Sequence, residues 1–201
     1  MAGREPKTPR KDVVPGTLDP GSSVLVYAAG EDSPPRLCTD LATTADPTGD
    51  VLVAEFASDP ADCLDRLSNH PATGRKRLLA VGDHGELRSA RSDVDVASVT
   101  DPADLSEIGI EISGFLSDAP SEGGETIVCV HSLTELLNHT DLERAFRFLH
   151  VLAGRVSAAD AVAHFHVDPT AHEPRDLNTL AALFDGVVER FDGKWVVRSS
   201  Q

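Results

Sequence analysis

The chain has 201 residues, which fits one compact domain that buries a core of its own without disulfide or metal staples. Its 33 acidic residues outnumber the 18 Lys and Arg residues, so the formal net charge is −15. A surface with this charge disfavours nucleic-acid binding through a broad basic face.

The acidic residues are mostly aspartate and the basic residues are mostly arginine, since the chain has 21 Asp and only 4 Lys. An acidic, lysine-poor surface stays hydrated and keeps molecules apart even at about 1 M salt, where charges are screened over about 3 Å. This composition predicts a protein of a salt-rich cytoplasm, such as that of a halophilic archaeon. An ordinary acidic protein of a mesophile is the alternative.

Neither the amino-terminal region nor the cysteines indicate export. Residues 1–23 are polar and proline-rich, without the apolar stretch of a signal peptide, and no apolar run approaches the length of about 18 residues that a membrane span needs. Cys38, Cys63 and Cys129 are dispersed, which excludes a disulfide framework and a zinc site built from thiolates. We therefore predict a cytoplasmic protein without membrane contact, with a flexible tail at residues 1–15 and a single domain at residues 16–201.

From residue 21 onwards, short apolar runs alternate with segments of helical periodicity. The apolar runs predict strands at Ser23–Ala28, Asp50–Phe56, Arg77–Val81, Glu125–Val130, Ala161–Val167 and Lys194–Arg198. The periodic segments predict helices at Pro35–Ala42, after Pro60, after Leu105, between Thr140 and Leu152, and between Leu177 and Phe191. The polar segment Gly82–Thr100 predicts a long loop with at most one short strand at Val94–Val99. This alternation is typical of a three-layer α/β domain, with helices on both faces of a mainly parallel sheet.

Two details near the carboxyl end can be predicted more closely. Thr140 and Glu143 have the spacing of a capping box, which predicts a helix that begins at Thr140 and is well buried. Its apolar stripe consists of Leu142, Phe146, Leu149 and Leu152, and Phe148 and Val151 make its other sides apolar as well. Trp195 alternates with its neighbours as on a half-buried edge strand, where binding of a partner is a further hypothesis.

Several segments carry a resemblance to a known family. Asp19–Val26 reads as the approach to a phosphate-binding loop, and Ile127–Thr134 (IVCVHSLT) as a strand followed by Ser-Leu-Thr. Phe146–Leu152 (FRFLHVL) and His164–Pro169 (HFHVDP) continue the match, which extends over about residues 16–190. In this order the segments resemble the KaiC-type RecA-like P-loop ATPases, and most closely the haloarchaeal KaiC-like proteins of unknown function. The resemblance implies a RecA/KaiC-like P-loop fold.

The phosphate-binding motif of that family is degenerate in this chain. A P-loop needs G-x-x-x-x-G-K-[ST], because glycines let backbone N–H groups approach phosphate, the lysine contacts phosphate oxygens and the hydroxyl holds Mg²⁺. The four aligned positions are Ala28, Ser33, Pro34 and Pro35, so the motif is lost and two backbone donors are missing. The Walker B aspartate aligns with His131, and imidazole is a poor ligand for Mg²⁺.

Two carboxylates, Glu31 and Asp32, occupy the same loop and would repel the phosphates of a nucleotide. We therefore predict no ATP hydrolysis, no nucleotide cofactor and no catalytic residue in this chain. Function would then come from binding a protein partner or a second copy of the chain, as an interaction or regulatory module. A small-molecule sensor with a pocket near Tyr27, Ala28 and His131 is an alternative.

A second alternative is a metal-dependent enzyme. His164, His166 and Asp168 alternate along a predicted strand and so share one face, and His172 follows four residues later. Imidazoles two residues apart on a strand can bind zinc together. We nevertheless expect structural roles for these residues and no metal.

Several predicted strands are followed by acidic or histidine side chains, namely Asp83, His84, His131 and Asp168. Together they suggest a separate hypothesis, an acid/base cluster at the strand ends. No nucleophile motif accompanies it, since Ser132 follows His131 without a glycine elbow. The cysteines adjoin apolar residues and are predicted to lie in the core.

Overall fold

The computed structural model describes residues 10–12, 18–28, 48–56, 60–84, 93–118, 124–191 and 194–199. Within these residues the strands are β1 (Arg10–Asp12), β2 (Ser23–Tyr27), β3 (Asp50–Glu55), β4 (Lys76–Val81), β5 (Asp95–Val99), β6 (Thr126–His131), β7 (Val162–Val167), β8 (Gly186–Phe191) and β9 (Lys194–Ser199). The helices are α1 (Pro60–Ser68), α2 (Leu105–Ser117), α3 (Leu133–His139), α4 (Leu142–Ala158) and α5 (Pro174–Ala181).

The strands form one sheet in the order β1-β9-β8-β2-β7-β6-β3-β4-β5. Every neighbouring pair from β8 to β5 in this order is parallel, and only β9 runs antiparallel to its neighbours β8 and β1. Parallel neighbours need crossover connections, which the helices supply. The prediction of a mainly parallel sheet is therefore confirmed.

Helices cover both faces of the sheet. On one face, α1 packs Cys63, Leu64 and Leu67 against apolar side chains of β3, β4 and β6. The other face carries the larger core, to which α2, α3, α4 and α5 contribute Ile108, Ile112, Phe115, Leu133, Leu136, Ala145, Leu149, Leu152, Val156, Leu177 and Leu180. The three-layer α/β arrangement predicted from the sequence is thus confirmed.

The prediction of where the last helix ends is wrong. Helix α5 ends at Ala181, and Val187, Val188 and Phe191 lie on β8, which pairs with β2. A short run with apolar residues at most positions fits the helical and the strand period equally well. The β-branched valines and the free edge that β2 would otherwise expose favour the strand.

The start of α4 also differs from the prediction. Asp141, not Thr140, is the N-cap, and its carboxylate accepts a hydrogen bond of 2.8 Å from the Arg144 N–H. Thr140 instead ends α3, a seven-residue helix that the sequence analysis did not predict. Since Thr140 ends one helix, the next residue caps the following one. The helix is also less buried than predicted, because Val151 is 60% exposed.

The amino-terminal region and the last strand differ from expectation as well. Arg10–Asp12, predicted within a flexible tail, forms β1 and pairs with β9. Strand β9 is therefore paired on both sides and is not an edge strand, although Trp195 on it is half-buried as predicted. The unpaired backbone groups of an outer strand favour the addition of such a short segment. The predicted helix at Pro35–Ala42 lies outside the described residues.

An ion pair between a buried carboxylate and a partly exposed guanidinium group lies where β3 begins. Asp50 is completely buried, and its Oδ2 accepts hydrogen bonds of 2.9 and 2.7 Å from Nε and Nη2 of Arg75. The Arg75 backbone N–H donates to the other oxygen of Asp50 at 2.7 Å. The guanidinium group also lies over the ring of Phe115, 4.7 Å from its centroid. These contacts compensate the charge of a carboxylate that water does not reach.

Candidate functional site

The region in which ligands bind in parallel α/β sheets lies beyond the carboxyl ends of the strands. Here the central strands β2, β7, β6 and β3 end side by side. Ala28, the first of the degenerate phosphate-loop positions, is buried directly after β2, and its N–H donates to the carbonyl of Val167 at 3.1 Å. The other three positions, Ser33, Pro34 and Pro35, lie outside the described residues.

The register of the central strands gathers polar side chains on one face. Cys129 of β6 lies opposite His164 of β7, and His131 lies opposite Glu55 at the end of β3. His166 follows His164 at the spacing of two residues that returns a side chain to the same face. We call Cys129, His131, His164 and His166 the Cys–His cluster.

His131 is held by a buried carboxylate. Its Nδ1 lies 3.0 Å from Oε1 of Glu55, whose side chain is 3% exposed, whereas that of His131 is 21% exposed. A buried carboxylate needs a hydrogen-bond donor, and the Nδ1–H of His131 supplies one. The sequence analysis missed Glu55. A signal existed, because Glu55 is a charged residue that directly ends the apolar run Val51–Ala54.

His164 and His166 form a buried pair. His164 Nδ1 lies 2.9 Å from His166 Nε2, and the ring centroids are 5.2 Å apart with 75° between the ring planes. The ring of His166 also meets that of His131 edge to face, at 5.5 Å between centroids. His164 Nε2 is enclosed and has no hydrogen-bond partner. Such an unsatisfied buried group costs about 1–3 kcal/mol.

Metal-ligating atoms do come together at this place, in a set that differs from the alternative of His164, His166 and Asp168. The ligand atoms of Cys129, His164 and His166 lie within 4.8 Å of one another. Asp168 is absent from this group because β7 ends at Val167. The Asp168 carboxylate instead closes a turn, accepting hydrogen bonds of 2.8 and 2.7 Å from the backbone N–H and the hydroxyl of Thr170.

The Ser-Leu-Thr segment after β6 has structural roles. Ser132 caps α3, accepting a 3.4 Å hydrogen bond from the Glu135 N–H. The hydroxyl oxygen of Thr134 accepts a 2.9 Å hydrogen bond from the Asp168 N–H and lies 3.2 Å from Nε2 of His172. His172 therefore contacts α3 and is not in the Cys–His cluster.

His84, His131 and Asp168, three members of the hypothetical acid/base cluster, each contact a group outside it. His84 places its Nε2 3.0 Å from the carbonyl of Val81 at the end of its own strand, and the group that faces His131 is Glu55. Cys63 and Cys129 form no disulfide and are buried in the apolar cluster beneath α1, as predicted. Cys38 lies outside the described residues.

Tyr27 ends β2 at the same edge of the sheet and gives a pH prediction. Burial raises the pKa of Tyr27 above 10, Glu189 raises it further, and Arg198 partly offsets both. The folded state therefore holds the phenol proton more tightly than the unfolded state, and stability falls as pH rises above about 10. Because Tyr27 is the single tyrosine, ultraviolet absorbance of tyrosinate reports it alone.

The titration midpoint of Tyr27 is expected above pH 10 in the folded protein, and Tyr27→Phe should abolish the signal. A midpoint at or below 10 in the folded protein would contradict the burial of this phenol.

None of the helices in the described ranges is long and apolar enough to cross a membrane.

Comparison with known proteins places the chain in a family and supports the fold. The profile of a family of unknown function (DUF7504) matches residues 21–190. A Pyrococcus horikoshii OT3 protein of known structure is similar over 91% of this chain and 88% of its own, with a TM-score of 0.63 and 16% identity.

The flagellar accessory protein FlaH from Methanocaldococcus jannaschii is similar over 89% of this chain and 76% of its own, with a TM-score of 0.55 and 12% identity. No curated protein matches the chain. At these identities the structural likeness shows the fold alone, which is the three-layer α/β fold described above. The chain belongs to the DUF7504 family of unknown function, whose profile covers most of its length.

Proposed function

We propose that this protein is a non-catalytic RecA/KaiC-like module that binds a protein partner in the cytoplasm of a halophilic archaeon. The observation that carries the proposal is a groove of about 500 Å³ between α2 and α4. Gly109, Phe148 and the exposed apolar side chains of Ile110 and Val151 are among the residues that line it. These two residues are 69% and 60% exposed. Exposed apolar surface of this kind marks interaction sites.

The charge around the groove indicates the kind of partner. Arg144, Arg147 and Arg155 of α4 line it, although the chain as a whole carries a charge of −15. Arg147 pairs with Glu143 at 2.8 Å, whereas the side chains of Arg144 and Arg155 have no ion-pair partner among the described residues. An amphipathic helix with acidic residues beside an apolar stripe would fit an apolar groove with arginines at its margin.

Binding of the partner protein should depend on Ile110 and Val151. The variant Ile110→Glu/Val151→Glu is expected to lose the proteins that the wild type retains in a pull-down from a native high-salt lysate, because it places two carboxylates against an acidic partner. The control Ala61→Glu adds a carboxylate to an exposed position on α1, on the opposite face of the sheet, and should retain them.

The retained protein should contain an acidic amphipathic helix, and a peptide of that helix should compete for binding. Equal retention by the groove variant and the control would contradict the assignment of the groove. If the protein associates with itself and the variant Ile110→Glu/Val151→Glu associates equally well, that result would also contradict the assignment of the groove.

The loss of ATP hydrolysis is supported by His131 as well as by the degenerate loop. Where the resembling family has a carboxylate for Mg²⁺, this chain has an imidazole whose Nδ1 is engaged by Glu55. A neutral nitrogen donor is a poor ligand for a hard cation that prefers oxygen. Ala28 is also packed against Val24, Val26 and Val188.

The purified protein is therefore expected to hydrolyse no ATP in molar KCl, and millimolar Mg-ATP should leave its melting temperature unchanged. A ligand at 100 times its Kd adds about 2.7 kcal/mol of stability, so a missing shift excludes binding of that strength. The variant His131→Asp should not restore hydrolysis, because the loop positions Ser33, Pro34 and Pro35 remain. Turnover by the wild type that disappears in His131→Ala would contradict the proposal.

A further inference from the structure

Two neighbouring strands bring four metal-ligating side chains together on one face. Cys129 and His131 alternate on β6, His164 and His166 alternate on β7, and Cys129 lies opposite His164. We propose that these four side chains bind one zinc ion, which ties the carboxyl ends of β6 and β7 together. One thiolate and three imidazoles are a donor set that zinc accepts in its four-coordinate tetrahedral sites.

The distances within the cluster suit one small ion. Atoms bound to a tetrahedral zinc ion at about 2.0–2.3 Å lie roughly 3.3–3.8 Å from one another. The ligand atoms of Cys129, His164 and His166 lie within 4.8 Å of one another, and the facing nitrogens of the two histidines are 2.9 Å apart. His131 is not part of this group of three, and its ring, 5.5 Å from that of His166 between centroids, would have to turn toward the other ligands to become the fourth.

The two buried imidazoles face each other through ring nitrogens that could both bind one ion. His164 is completely buried and His166 is 2% exposed, and His164 Nδ1 lies 2.9 Å from His166 Nε2. These two nitrogens would bind the ion, so Nε2 of His164 would carry the proton of its ring. That nitrogen has no hydrogen-bond partner among the protein atoms.

Glu55 completes the site without binding the ion. Its Oε1 lies 3.0 Å from Nδ1 of His131, which selects Nε2 as the nitrogen of His131 that faces a metal. Metal-binding histidines commonly donate their other N–H to a carboxylate in this way. The charges also balance, because one zinc ion compensates the Cys129 thiolate and the Glu55 carboxylate, both of which are buried.

Burial decides the role of the ion. Cys129, His164 and His166 are each at most 2% exposed, and the side chain of His131, the proposed fourth donor, is 21% exposed. A zinc ion with four protein ligands has no open position for substrate or water. The site is therefore structural, and it argues against the metal-dependent enzyme that uses His164 and His166.

The test is metal binding by the full chain in molar KCl with reducing agent. Elemental analysis is expected to find about one zinc per chain, and removal of the zinc by a chelator should lower the melting temperature until zinc is added back. Co²⁺ provides a spectroscopic probe, because four-coordinate Co²⁺ absorbs strongly in the visible range and a cysteine ligand adds a sulfur-to-metal charge-transfer band. That band should be lost in Cys129→Ser and retained in Cys63→Ser.

Cys63 is the matched control because it is a buried cysteine on the same face of the sheet but outside the cluster. Glu55→Gln keeps the four ligands and removes only the outer carboxylate, so it should weaken zinc binding by about 10–100-fold. Asp168→Asn should bind zinc like the wild type. Trp195 fluorescence verifies that each variant is folded.

Either of two results would overturn the zinc site. One is a wild-type chain that takes up no zinc and is not stabilised by it. The other is a Co²⁺ spectrum that is the same in Cys129→Ser and Cys63→Ser, which would place the bound metal elsewhere on the acidic surface.

Discussion

Replacement of Arg75 by alanine is expected to lower the free energy of unfolding by about 3 kcal/mol. The change leaves the completely buried Asp50 carboxylate without its guanidinium partner. Removal of one partner of a buried ion pair costs about 3–5 kcal/mol, because the other charge stays buried without compensation. We expect the lower end of this range, since the backbone N–H of residue 75 continues to donate to Asp50 Oδ1.

Denaturant unfolding in constant molar salt, followed by the fluorescence of the single tryptophan, measures this loss. Arg147→Ala is the matched control, because it breaks an exposed pair with Glu143 in which both side chains are more than half exposed. Such pairs contribute about 0.3–0.5 kcal/mol. If Arg75→Ala and Arg147→Ala lower the free energy of unfolding equally, the Asp50 carboxylate is solvated and its pair with Arg75 stabilises the protein no more than a surface pair does.

Phe165→Ala is expected to destabilise the protein by about 3–5 kcal/mol. Phe165 is completely buried on β7, and its ring packs against that of Phe184 with 4.8 Å between the centroids. Removal of a buried aromatic ring loses its transfer free energy and leaves a cavity. The side chain points away from the face that carries His164 and His166, so the loss concerns the larger core alone.

Val151→Ala serves as the comparison, because Val151 is 60% exposed and should change the stability by less than about 0.5 kcal/mol. The slope of the free energy of unfolding against denaturant concentration should stay the same in both variants, and only the midpoint of unfolding should shift. A cost below about 1 kcal/mol for Phe165→Ala would contradict the close packing of this core.

The sequence predicted the buried elements well and the short ones poorly. The apolar runs of β3, β6 and β7 are buried at nearly every position, so their composition alone marks them as central strands. Helix α3 has only seven residues and two buried side chains, too few for a periodic pattern to stand out. The apolar residues of β8 fit the helical period as well as the strand period, and the pairing with β2 that favours the strand joins residues far apart in the sequence.

The candidate site was predicted in part for a similar reason. The His-x-His spacing of His164 and His166 marks one face of a strand, and it is visible in the sequence. Glu55 and His131 are 76 residues apart and become partners only because β3 and β6 are neighbours in the sheet. Cys129 lies between two valines and looks like a core residue until β7 brings His164 opposite to it.

The position of β2 in the sheet has a consequence for biosynthesis. Leu25 pairs with Phe165, 140 residues later, and with Val187, 162 residues later. Strand β2 therefore has no neighbour in the sheet until most of the chain has left the ribosome, and pairing over such distances is intrinsically slow. We expect nascent chains that stop before β7 to expose an apolar strand and to depend on chaperones, so that the sheet is completed only after β7 and β8 have been synthesised.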